Sequence, residues 1–268
     1  MERRVLDHGY VRLVDTMGTD ADIARAARVS TLGKKSKRSD AGLIDYLMRH
    51  GHHSPFEMAE LKFEVKAPIF VARQWFRHRT GNYNEISGRY TELPDDIYVP
   101  THWRSQDYYN KQGSSGVLEE DLLRQRYLDL VGRLRKLYED LLDTGVAREI
   151  ARAILPVSQY TIFFFKSDLR NLFHFLHLRT DPHAQMEIRV YAEAIEEIVK
   201  EKFPVSWESW KRNVKDSVVL SSIEAQALTK ALKRYPDIAR EVIKDIEQEV
   251  EAQGLSKSLI REAKEELG

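Results

Sequence analysis

The chain has 268 residues with 42% hydrophobic content, enough to bury a core in one large domain or two small ones. Its formal net charge is zero, which argues against a general nucleic-acid or acidic-membrane binder, and its cysteine count is zero, which excludes disulfides, cysteine-ligated metal sites and thiolate nucleophiles. No apolar run approaches the roughly 20 residues that a membrane span needs, and Met1-Glu2-Arg3-Arg4 leads into no signal-like segment, so the expectation is a cytoplasmic protein.

Leu6 to Asp15 contains two short extended patches broken at His8-Gly9, and the alternation of Tyr10 to Val14 predicts a first strand or hairpin. The Ala-rich run Asp20 to Val29, with Asp20 as its cap, predicts a helix. A polar loop over Gly33 to Arg38 follows, then an amphipathic helix capped by Ser39 or Asp40 and stopped at Gly51. His50 to Glu57 holds three histidines and a carboxylate, which invites a metal; the spacing gives no helical i, i+4 pair and Pro55 forces a turn, so a loop or ligand-contact role is favoured.

Glu60 to Lys66 alternates cleanly as a strand, and Pro68 at the first helical position starts a helix over Ile69 to Phe76. Tyr83 onward is expected to turn, Arg89 to Leu93 and Ile97 to Val99 to be extended, and Pro100 to Gly116 to form a loop. Leu118 to Asp143 has a leucine stripe that predicts a long amphipathic helix against the core. Ala147 to Leu155 predicts a short helix with Glu149 and Arg152 on one face. Tyr160 to Phe165 predicts a strand, Asp168 to Leu178 a helix, and Met186 to Phe203 another, broken by Pro204. From about Lys215 the chain turns to Glu/Lys-rich helices that read as packing or oligomer surface.

The stretch with the densest chemistry is Arg73 to Tyr90. Arg77, His78 and Arg79 set two planar bidentate donors around an imidazole, the side chains best matched to phosphate. Ser87-Gly88-Arg89 adds a hydroxyl, a residue that lets backbone approach a ligand, and a further guanidinium. A solvated basic hairpin is the plain alternative. Two more clusters, Glu149 with Arg152 and Arg170 to Arg179, repeat the theme, and so many cations suit two anionic ligands or one with several phosphates. Neither a G-x-G-x-x-G after a strand nor a G-x-x-x-x-G-K-[ST] is present, so side chains must hold any dinucleotide. An RNA- or nucleotide-binding module and a His/Glu metal hydrolase on His50 to Glu57 are the competing classes.

Arg77-His78-Arg79 followed after seven residues by Ser87 resembles the R-H-R-x7-S signature of the flavin-dependent thymidylate synthases, and the likeness runs on through Glu85 to Tyr90. Ala26 to Ser30, His50 to Glu57, Arg148 to Arg152 and Leu178 to Gln185 look like further blocks of that family, in its order. The predicted strands near 5–15, 60–66, 89–99 and 160–165 give an α+β fold with a small mixed or antiparallel sheet covered by helices; the resemblance covers a family domain over 1–214 and says nothing of the helical extension over 215–268. It implies reductive methylation of dUMP to dTMP, with methylenetetrahydrofolate as carbon donor, FAD as hydride carrier and NADPH as reductant. A chain with no thiolate fits that route, because the cysteine-dependent synthases need one.

Residue by residue, Gln74, Arg77, Ser87, Gly88, Arg89 and Arg152 match the family's dUMP-binding positions. Ser54, Arg77, His78, Arg79, Arg170 and His174 match FAD-contacting ones, and Glu85 is assigned to both ligands. Arg179 matches the residue beside the uracil N3 edge, where a guanidinium stabilises charge pushed onto the N3/O4 side. Ser87 as a nucleophile lacks a base at recognisable spacing, so a binding role is preferred. Asp168 stands where many relatives have Asn, and can still cap its helix. The family implies a homotetramer with active sites shared between chains; the neutral charge, the lack of a long apolar run and the His50 to Glu57 spacing lead to the expectation of no nucleic acid, no membrane and no metal.

Overall fold

The computed structural model describes residues 1–30, 38–111, 113–255 and 257–267, so most of the polar run Gly33 to Arg38 lies outside the described residues. By backbone contacts the chain forms two compact units, one of residues 1–18 and 56–202, the other of 19–55 and 203–268. The second unit groups 203–214 with the tail beyond 215.

The first unit is built on strands β1 (Glu2–Val5), β2 (Gly9–Met17), β3 (Glu60–Pro68), β4 (Asn82–Glu85) and β7 (Tyr160–Asp168), which form one antiparallel sheet in the order β1-β2-β3-β7-β4. Alternation makes one face apolar: Val11, Leu61, Phe63, Val65, Phe163 and Phe165 are all buried. Helices α3 (Ile69–Trp75), α6 (Leu169–Arg179) and α7 (Met186–Lys202) belong to the same unit. At its centre is Trp75, whose ring lies 5.3 and 5.6 Å from Phe163 and Phe165 of β7, stacks on Phe175 of α6 at 4.9 Å and meets Tyr191 of α7 at 6.0 Å. Close packing reaches the backbone as well. A Cβ at Gly9 would fall 1.9 Å from the Tyr191 hydroxyl, which donates to the Lys66 carbonyl at 2.7 Å.

Several local expectations change. Tyr83 onward, expected to turn, instead lies in the strand Asn82–Glu85, which pairs with the phenylalanine-rich β7, with Tyr83 opposite Phe165, so cross-strand packing overrides weak strand propensity. Arg89 to Thr91 turns rather than extending, and Glu92 and Leu93 belong to no strand. The expected loop Pro100 to Gly116 contains a hairpin of β5 (Trp103–Gln106) and β6 (Ser114–Leu118), hidden by the serine and glycine content of its second arm. Pro68 ends β3 and is the N-cap of α3, one position earlier than expected. Helix α4 (Asp121–Asp143) buries Val131 and Tyr138, while Leu122, Leu123, Leu130 and Leu137 are exposed, so its leucine stripe is not part of this unit's core. The short helix is α5 (Arg148–Ala151), followed by a 3-10 turn over Arg152–Ile154.

The second unit holds α1 (Asp20–Val29), α2 (Asp40–Arg49), α8 (Pro204–Trp210), α9 (Ser222–Arg234), α10 (Pro236–Ala252) and α11 (Ser258–Leu267). Thr19, not Asp20, caps α1, accepting from the Asp22 amide. Asp20 instead accepts from the amides of Val205 and Ser206 and from the Ser206 hydroxyl at 3.0, 3.0 and 2.6 Å, capping α8, whose start at Pro204 follows from the fixed φ of proline. Buried Asp45 of α2 collects Arg212, Asn213 and Ser209 at 2.7, 2.9 and 3.2 Å. Glu262 of α11 pairs with Arg49 at 2.7 Å and lies 3.6 Å from His50. Among the described residues no group of three or more His, Cys, Asp or Glu is placed to hold a metal, and no helix is long and apolar enough to cross a membrane.

Candidate active site

Burial of Trp75 holds the C-terminal end of α3 against the sheet, and the chain leaves that end in the turn Phe76 to Gly81. Tyr83 closes it, donating from its hydroxyl to the His78 carbonyl at 2.8 Å while its ring stacks on Phe165 at 5.2 Å. The turn therefore presents Arg77 and Arg79 to solvent with His78 half-buried between them. Among the described residues neither guanidinium has a hydrogen-bond or ion-pair partner.

Opposite stands α6, capped by Asp168, which accepts from the Asn171 amide at 2.9 Å and from its side chain at 2.6 Å. One turn further, His174 brings its ring centroid 6.2 Å from that of His78. Arg179, the last residue of α6, donates its Nε–H to His78 Nε2 at 2.9 Å. Burial, with Arg179 and His174 adding repulsion, pushes the His78 imidazole down to about 4. At neutral pH it is uncharged, so Nε2 can accept and the proton sits on Nδ1. Burial also lowers the Arg179 pKa, yet a guanidinium remains charged. Its two Nη groups have no partner among the described residues. Arg170, at the other end of α6, meets Glu57 at 3.2 Å.

A second cluster forms beyond β4. Glu85 accepts from the buried Thr161 hydroxyl at 2.7 Å. The turn that follows is held by the Ser87 carbonyl, which accepts from the amides of Tyr90 and Thr91. Gly88 is buried there, and a Cβ on it would come within 3.2 Å of Arg152 Cδ and 3.3 Å of Leu93 Cγ. The bare backbone lets Arg152, from a different segment, lie close across this turn, where a side chain would push it aside by a few tenths of an ångström. Glu149, expected beside Arg152, faces Arg89 instead at 3.7 Å. The Arg152 guanidinium has no partner among the described residues. Ser87, Gly88, Arg89 and Arg152 thus converge although 64 positions separate Gly88 from Arg152, a set suited to one phosphate.

The donor set around His78 fits the pyrophosphate of a dinucleotide cofactor, because two unpartnered guanidinium groups flank a neutral imidazole on one turn. Gln74, on α3, donates to Gln185. Ser54 starts a 3-10 turn and belongs to the second unit, whereas the other expected site residues all belong to the first. Sequence reasoning gave no role to Thr161, Tyr83 or Gln185. Gln185 did stand inside a block that resembled the family, which was the available signal.

Comparison with known proteins gives the family of the chain. The family model described as thymidylate synthase complementing protein matches residues 12–205. A flavin-dependent thymidylate synthase of Thermus thermophilus is 50% identical over 268 residues, covering 98% of this chain and 94% of its own length. That of Thermosipho africanus is 50% identical over 215 residues, covering 78% of this chain and 94% of its own. The crystal structure of a UMP/dUMP methylase from Streptomyces cacaoi bound with 5-Br dUMP superposes with a TM-score of 0.72 at 36% identity, covering 81% of this chain and 100% of that one. With an α+β fold, an R-H-R-x7-S turn and near full-length relatives in agreement, the chain belongs to the flavin-dependent thymidylate synthase family.

Proposed function

We propose that the protein methylates dUMP reductively to dTMP, using FAD, with methylenetetrahydrofolate as carbon donor and NADPH as reductant. The observation that carries this reading is the Arg179–His78 hydrogen bond, because it joins the residue expected at the uracil to the residue expected at the flavin.

Arg77, His78, Arg79, Arg170 and His174 hold the cofactor, with Glu85 serving both ligands. Bound flavin supplies hydride transfer. Gln74, Ser87, Gly88, Arg89 and Arg152 hold the nucleotide, with Arg89 and Arg152 neutralising its phosphate. Arg179 is fixed through Nε, so its Nη groups stay aimed and need no reorganisation as negative charge grows on the N3/O4 side of the pyrimidine. Ser87 binds rather than attacks.

The active assembly is a homotetramer, a reading supported by the exposed leucines of α4, since an apolar stripe on a 23-residue helix is the kind of surface that a partner covers. The catalytic domain spans 1–214 and the helical extension 215–268; the family match ending at 205 supports that division. We place the enzyme in the cytoplasm.

The test is the visible spectrum. Purified protein should be yellow or take up FAD to near one per chain, and added dUMP should perturb the flavin bands. A colourless protein that takes up no added FAD overturns the reading.

A further inference from the structure

Gln74 enters the site at one end of a hydrogen-bonded chain whose other end is a buried carboxylate. Glu187, only 3% exposed, is the second residue of α7. Its Oε1 accepts from Arg104 Nη2 at 2.6 Å and from the Tyr98 hydroxyl at 3.0 Å; its Oε2 accepts from Gln185 Nε2 at 2.9 Å. Gln185 Oε1 in turn accepts from Gln74 Nε2. Burial acts to raise the pKa of Glu187, but the hydrogen bonds from Arg104, Gln185 and the backbone outweigh it and hold the group ionised, below the usual carboxylate range.

An ionised carboxylate only accepts. Gln185 must therefore turn its amide N–H toward Glu187 and its oxygen away, and Gln74 must then spend an N–H on that oxygen. This order decides the polarity of Gln74. A glutamine side chain alone presents either end with little preference, whereas here the amide orientation of Gln74 is set, its oxygen is turned away from Gln185, and that oxygen has no donor among the described residues. Arg104 is itself fixed, donating from Nε to Ser114 at 2.8 Å, so the chain is anchored from the β5–β6 hairpin to α3.

We propose that Glu187 is a positioning residue for nucleotide recognition, acting through Gln185 to fix the Gln74 amide so that its oxygen meets a hydrogen-bond donor of the pyrimidine nucleotide. This rests on the reading of Gln74 as a dUMP contact. Glu187 touches no ligand itself, and its replacement by glutamine preserves shape while removing the one group in the chain that cannot donate.

The test is a double-mutant cycle on FAD-loaded protein, reading the Kd for dUMP by calorimetry together with kcat and KM for dTMP formation. Glu187→Gln should raise the dUMP Kd and KM about ten-fold, the size of one ligand hydrogen bond, with kcat at saturating dUMP changed less than about three-fold and the flavin spectrum unaltered. Gln185→Met, which leaves Glu187 with Arg104 and Tyr98, should do the same. In a Gln74→Ala background, Glu187→Gln should have no further effect on Kd. Additive effects in that background, or a loss of kcat without a change in Kd, overturn the relay while leaving the synthase reading intact. Wild-type protein that binds FAD but not dUMP overturns both.

Discussion

Arg179 donates its Nε–H to Nε2 of His78 across 2.9 Å, although the residues are 101 positions apart. The bond needs a neutral imidazole, and burial of His78 provides one. It also divides the guanidinium, with Nε holding position and the Nη groups left for a ligand.

Lysine at 179 would keep the charge but lose both the Nε donor and the fork. Arg179→Lys should lower dTMP formation by about 100-fold or more, the scale of losing an aimed donor at a developing anion. Arg179→Ala should abolish it. Both should retain FAD, checked by the visible spectrum; an Arg179→Lys enzyme within three-fold of wild type would refute the role given to the fork.

The His78 imidazole should titrate near pH 4 in the apo protein, followed by its ring-proton shift in histidine-labelled NMR samples. A histidine whose folded pKa lies below its ordinary value of 6.5 binds fewer protons when folded. Its contribution to stability is therefore intact above about pH 6.5, declines as the pH falls toward 4 and levels off below that. Titration at 6.5 would mean that the ring is solvated and the Arg179 bond is not held.

Gly88→Ala places a methyl group 3.2 Å from Arg152 Cδ. The flexible arginine must give by a few tenths of an ångström, so the fold should survive while the aim of Arg152 at the phosphate is disturbed. Affinity for dUMP should drop about ten-fold, consistent with one charge-assisted contact, while FAD uptake is unchanged. Calorimetric titration with dUMP reads this directly, and an unchanged Kd would remove Arg152 from the phosphate site.

Asp20→Ala removes the acceptor for two backbone amides and a hydroxyl at the start of α8. The cost should be about 1–2 kcal/mol, as for the loss of a helix cap. Urea unfolding followed by far-UV circular dichroism would show it as a lower midpoint; no shift would mean that water replaces the carboxylate without loss.

Much of the sheet and of the Arg77 turn was legible because periodicity and proline placement are local signals: β3 alternates, and the apolar run after Pro68 ends where the arginines begin. What was missed depends on partners distant in sequence. Asn82 to Glu85 becomes a strand only because β7 lies beside it. Asp20 looked like the cap of its own helix, and its partners lie 185 and 186 residues away. The α4 leucines show an amphipathic helix, but periodicity does not say whether the covering surface belongs to the same chain. In the site, the arginines declared themselves by residue type, whereas Gln185 acquires meaning only through Gln74, 111 positions away.

The central claim is tested most directly by incubating the FAD-loaded protein with dUMP, methylenetetrahydrofolate and NADPH and separating the nucleotides chromatographically. The account predicts dTMP formed in amounts exceeding the enzyme and dependent on each of the three additions. A protein that binds FAD and dUMP yet forms no dTMP under these conditions would contradict it.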